Sequence, residues 1–113
     1  MGLSPPPNEA LAELANVLGD DNVRTLVRTF LRDFPVSFQA LQETAERKDR
    51  HRIAHSMKSN SRLMGAHELS QRMAALEDRL AQENGPDLAA DDVKLISADF
   101  EAIAGPLRAF VGQ

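Results

Sequence analysis

Four side chains in the middle of the chain could do chemistry together: His55 with Lys58 three residues on, Ser59 four on and His51 four before. On a helix, residues three and four apart are neighbours on one face. A neutral imidazole is a nucleophile through a ring nitrogen, and its ordinary pKa near 6.5 keeps it largely neutral at pH 7. A nearby ammonium opposes its protonation and offsets the charge of an anionic group placed on it. That chemistry suits transfer of one phosphoryl group. A surface His beside a Lys is, taken alone, most often only a pair of solvated side chains, so the surroundings carry the weight.

With His55 at zero and about 100° per residue, Lys48, His51, Arg52, Lys58, Ser59 and Arg62 fall on its side, and Ile53, Met57 and Met64 fall opposite. Asn60 and Ser61 flank them, and Ala54, Ser56 and Ser61 make a lightly built inward face. Residues 47–62 hold six cations against Asp49 alone, +5, which leaves −9 on the rest of a chain of net charge −4. Such a stripe implies an anionic partner. It is small for a nucleic-acid duplex, where many phosphates are engaged, and fits one phosphoryl group or an acidic pocket. His51 and His55 are spaced as metal ligands, but the stripe offers no Asp or Glu to complete a site, and there is no cysteine. No metal is expected. His67-Glu68 lacks the second His of a zinc-protease helix, and the four Met residues read as core.

The elements that must position this stripe are helices. No segment alternates with period two. Pro5 to Pro7 make a stiff lead-in, Asn8 offers an N-cap, and Leu11, Leu14, Ala15 and Leu18 form a short amphipathic helix closed by Gly19. Asp20 or Asp21 caps a second helix. Its face of Val23, Leu26, Val27, Phe30, Leu31, Phe34, Phe38 and Leu41 extends it to about Lys48, with a kink or break at Pro35. Asp49 caps a third helix that stops at Gly65. A fourth starts near His67 with Leu69, Met73, Leu76 and Leu80, and Asn84-Gly85-Pro86-Asp87 is a turn. The last helix places Val93, Ile96, Phe100, Ile103, Leu107 and Phe110 at bundle-seam spacing and is expected to bend or fray at Gly105-Pro106. The expectation is all-α: an antiparallel up-down-up-down four-helix bundle with a short additional N-terminal helix. Residues 1–7 form a flexible Pro-rich lead-in, and 8–113 form a single domain.

Composition narrows the classes further. The chain has 113 residues, room for one domain, with 4% aromatics and neither Trp nor Tyr. That argues against single-strand nucleic-acid platforms. No run spans a membrane, no signal peptide is visible, and Pro6 stands where a myristoylation motif wants Ser or Thr. A soluble cytoplasmic monomer that binds neither nucleic acid nor membrane is expected.

The run Ala54-His55-Ser56-Met57-Lys58-Ser59-Asn60-Ser61-Arg62-Leu63-Met64-Gly65-Ala66 resembles the signature of histidine-containing phosphotransfer (HPt) domains, roughly A-H-x-L-K-[GS]-x-[SA]-x-x-x-G-A. Leu69 and Leu76-Glu77 match the L-x(6)-L-E that follows it. Gly19-Asp20 and Phe30 to Pro35 match upstream segments, and Asp49 also fits. The likeness covers about residues 8–110. Ser59 stands where many members have Gly, and Met57 where Leu is usual; both keep the size. The resemblance implies a phosphorelay role, in which His55 accepts a phosphoryl group from one receiver-domain aspartate and passes it to another. Lys58 would steady the group, Ser59 leaves room for it, and Arg62, Arg52, His51 and Leu63 would serve binding. No cofactor is implied for this chain, and the Mg²⁺ that assists transfer belongs to the receiver. The partners implied are receiver domains of response regulators or hybrid histidine kinases. The alternative is a non-catalytic bundle that binds and regulates a receiver or kinase. A kinase dimerisation domain would need an ATP-binding partner domain for which 113 residues leave no room.

Overall fold

A computed structural model describes residues 4–112, so part of the Pro-rich lead-in 1–7, namely 1–3, lies outside the described residues, as does Gln113. Five helices follow one another: α1 (Glu9–Leu18), α2 (Asp20–Glu43), α3 (Arg47–Leu63), α4 (His67–Ala81) and α5 (Ala90–Val111). No strand occurs among the described residues. The contacts run in a ring, α2 against α3 and α5, and α4 against α3 and α5, with α1 on α2. The result is elongated, 53 × 23 × 18 Å.

Most of the apolar series of the sequence becomes the core, but Leu18 at the end of α1 is exposed and Val93 stays only half-buried, outside the cluster. Leu11, Val23, Val27, Phe30, Phe34, Leu41, Met57, Leu69, Met73, Leu76, Ile96, Phe100, Leu107 and Phe110 are all buried, with Leu14, Ala15, Leu26, Leu31, Phe38 and Ile103 packed around them. Each such large side chain contributes about 1.5–3 kcal/mol by leaving water. Phe34 and Phe100 stack with ring centroids 4.5 Å apart, which joins α2 to α5.

Several boundaries differ from the sequence expectation. α2 ends at Glu43, short of Lys48, where Thr44 turns to extended backbone. α3 begins at Arg47 with Glu46 as N-cap residue, so Asp49 lies inside the first turn and does not cap it. Gly19, not Asp20 or Asp21, precedes α2, and the two acids sit in its first turn, where negative charge is favourable. Both interior prolines are tolerated: α2 runs through Pro35 and α5 through Pro106 to Val111, unfrayed. Each loses one backbone hydrogen bond, but Phe34, Phe38, Leu107 and Phe110 keep both sides of the prolines packed on the core. Asn8 does cap α1, its Oδ1 accepting from the Leu11 N–H at 2.9 Å.

Two sets of polar contacts fix α3. At its start, Arg47 donates to the Leu80, Arg79 and Gln82 carbonyls at the end of α4 (3.1, 2.7 and 3.0 Å). The last carbonyls of a helix lack the N–H groups of a following turn, and Arg47 adds its donors to the few that the loop supplies there. Arg50 donates to the Thr44 carbonyl at 2.7 Å and grips Asp87 of the α4–α5 loop at 2.8 and 2.6 Å. At its end, Asn8 Nδ2 donates to the Met64 carbonyl at 2.9 Å. Gly65 makes the turn at φ 71°, a left-handed conformation that favours glycine, with the Asn8 side chain against it.

Candidate functional site

α3 turns Ala54, Met57 and Ser61 into the core and leaves His55 on the outside. Ser61 is accommodated there because its hydroxyl donates to the Met57 carbonyl at 2.7 Å. Ser56, expected on the inward face, is exposed, because the buried strip is narrow. The His55 side chain retains 59% of its accessible surface, so an incoming group reaches the ring.

The centre of the site is a residue on the neighbouring helix. Glu77 of α4 accepts from His55 Nδ1 at 2.6 Å through Oε2 and binds Lys58 Nζ at 2.6 Å through Oε1. His51 Nε2 stands 4.0 Å from the same Oε2. The carboxylate is mostly covered, at 13% side-chain exposure. Burial pushes its pKa up, but the hydrogen bonds and charges of Lys58 and His55 outweigh burial and hold it below the ordinary glutamate value. It is therefore ionised at neutral pH and can only accept. Nδ1 must carry the proton, and the Nε2 lone pair of a neutral His55 points away from Glu77.

This corrects the sequence reading in one respect. The stripe was expected to ring His55 with cations alone. Most of those cations are already engaged: Arg47 and Arg50 hold the bundle end, Arg52 pairs with Asp49, and Lys58 pairs with Glu77. Among the described residues, Lys48 and Arg62 make no ion pair. The acid that seemed missing beside His51 and His55 is present, supplied from α4. Its two oxygens face an imidazole N–H and an ammonium, and among the described residues no group of three His, Cys, Asp or Glu side chains could hold a metal ion.

The expected site residues thus divide. His55, Lys58 and His51 converge on Glu77. Arg52 turns to Asp49, with 74% of its side chain exposed. Ser59, Arg62 and Leu63 line an open groove against α1, and Arg62 also borders His67 and Ser70 at the start of α4. Glu77 was not singled out from the sequence, 22 residues beyond His55, although the Leu76-Glu77 pair of the resemblance contained it.

An exposed imidazole with one nitrogen donating to a largely covered carboxylate is an arrangement for nucleophilic group transfer on an all-helical domain. The Hpt domain family model matches residues 25–105, and the chain belongs to that family. The match spans both halves of the site, α3 and α4. No curated protein and no solved structure gives a significant match to the chain. Membership of the family implies a part in phosphorelay histidine phosphotransfer. None of the described helices is long and apolar enough to cross a membrane.

Proposed function

We propose that this chain is a phosphotransfer intermediate of a multistep two-component phosphorelay, carrying the phosphoryl group on His55 Nε2 between receiver-domain aspartates. The observation that carries the proposal is the 2.6 Å contact of His55 Nδ1 with Glu77, which leaves Nε2 as the free lone pair. In the forward step Nε2 attacks phosphorus, the bond from phosphorus to the donor aspartate oxygen breaks, and a carboxylate leaves. Positive charge grows on the imidazole as the N–P bond forms. Glu77 faces that charge across the Nδ1 proton and stabilises it where it develops. Lys58 lies one helical turn from His55 and neutralises phosphoryl oxygens by exchanging its contact with Glu77 for them. Return of the group to a second aspartate reverses the steps.

This chain needs no cofactor of its own for that chemistry; Mg²⁺ acts in the receiver. We further infer that the four long helices run up-down-up-down, which the short links 44–46 and 64–66 and the ring of contacts support. Residues 8–113 then form one domain, acting as a cytoplasmic monomer. The largely covered Glu77 and its double contact speak against a purely binding module, which has no need of an oriented imidazole.

The test is phosphotransfer from a ³²P-labelled receiver. Wild type should gain label that is acid-labile and base-stable, as a phosphoramidate is, and His55→Gln should gain none. Equal labelling of the substituted chain would overturn the assignment.

A further inference from the structure

His51 has no part in the chemistry above, yet it faces the same carboxylate oxygen as the reacting imidazole. We propose that His51 is a positioning residue that makes phosphorylation of His55 sensitive to pH. Neutral, it leaves Glu77 to His55; protonated, it competes for Glu77 Oε2 and opposes positive charge on the reacting ring. This rests on the phosphotransfer reading and adds a control on the same site.

The two rings share one face of α3. His51 precedes His55 by four residues, one helical turn. Both turn a nitrogen toward Glu77 Oε2, His55 Nδ1 at 2.6 Å and His51 Nε2 at 4.0 Å. The first is a hydrogen bond and the second is too long for one. Lys58 Nζ occupies Oε1 at 2.6 Å. A carboxylate oxygen accepts two bonds, so Oε2 has room for a second donor. With 38% of its side chain exposed, His51 exchanges protons with water and is free to turn the short way to Glu77.

Protonation changes both terms that favour the reaction. An imidazolium donates a charge-assisted bond, which draws Oε2 away from the Nδ1 proton of His55. It also sets a like charge one turn from His55, where positive charge must grow as the N–P bond forms. Imidazole is the side chain whose charge ordinarily changes between pH 5 and 8, so the control falls in a working range.

The charges around His51 come from two helices. Glu77 of α4 is the one acid within ion-pair distance of it among the described residues. On α3, Arg47 lies one turn before His51 and is engaged with the α4 carbonyls. Lys48 lies three residues before and makes no ion pair among the described residues, Arg52 pairs with Asp49, and Lys58 lies two turns on, against Glu77. Arg50 is turned to Asp87 of the α4–α5 loop. One carboxylate therefore serves two imidazoles and an ammonium, and a proton on either ring is felt by the other.

Phosphoramidate, a small-molecule donor, labels an accessible histidine without a protein partner, so its initial rate reads the site alone. The donor's own titration is common to all variants and cancels in a ratio of rates. The wild-type rate divided by the His51→Gln rate should fall about two- to fivefold from pH 8 to pH 5.5. His51→Lys carries a fixed charge. It should label about two- to fivefold more slowly than His51→Gln at pH 8, with a ratio that stays flat as pH falls. By NMR, the His55 ring signals should follow two steps with pH in the wild type and one in His51→Gln, which a histidine that merely decorates the surface does not produce. A wild-type to His51→Gln ratio that is constant across this range, or a His55 titration that the substitution leaves unmoved, overturns the role of His51 and leaves the phosphotransfer reading standing. A wild-type chain that takes label from neither phosphoramidate nor any receiver overturns both.

Discussion

Replacing Glu77 with Gln tests the reasoning at its centre. Gln keeps the volume and an acceptor oxygen but removes the charge that faces Nδ1. A hydrogen bond to a charged group contributes about 1.5–3 kcal/mol, and a neutral one about half that. The pair is only partly screened, Glu77 being 13% exposed but His55 59%, so the lower half of the range applies. Loss of that difference, about 0.75–1.1 kcal/mol, in the transition state slows transfer about four- to sixfold. Glu77→Ala removes the acceptor as well, and its rate should fall toward a hundredfold. A merely structural Glu77 would not move the imidazole tautomer, so ¹⁵N NMR of the ring is the second readout. Wild type should show a protonated Nδ1 and a lone pair on Nε2, and Glu77→Gln should show a mixture. Because Oε1 also holds Lys58 at 2.6 Å, the Glu77→Gln, Lys58→Ala double variant apportions the effect. Transfer at the wild-type rate with an unchanged tautomer would refute orientation by the carboxylate.

Lys58→Ala should slow receiver-dependent labelling about tenfold yet cost less than about 1 kcal/mol in denaturant unfolding, since it breaks a pair near the surface. Gly65→Ala should destabilise by about 2 kcal/mol, because it forces a left-handed backbone on Ala and displaces the Asn8 side chain, and a smaller shift of the urea midpoint would show that the turn relaxes freely. Acid should loosen the bundle end. Asp87, held down mainly by its hydrogen bonds from Arg50, and Asp92, held down mainly by those from Arg79, both have lowered pKa values. Carboxyls depressed on folding stabilise fully above their unfolded pKa and lose that contribution as pH falls through the folded one. The Tm should therefore hold from about pH 7 to 5 and drop below about pH 4, less steeply in Asp87→Asn.

The helices were legible because burial needs only period and punctuation. Leu69, Met73, Leu76 and Leu80, and Asn8 and Gly19, behave as their spacing and cap chemistry require. The ends of α2 and α3 were not, because Arg47 and Arg50 place the break by bonding to the ends of α4 and α2 and to Asp87, partners far along the chain. Pro35 reads as an interruption locally, yet the surrounding core outweighs one missing hydrogen bond.

The site divides along the same line. That His55, Lys58, Ser59 and Arg62 share the outer side of one helix follows from 100° per residue, which is a property of the backbone. Whether Lys58 is already paired, and which ring nitrogen keeps its lone pair, depends on Glu77. Helical spacing relates residues within one helix. A carboxylate 22 positions away meets the imidazole only once α4 has packed against α3.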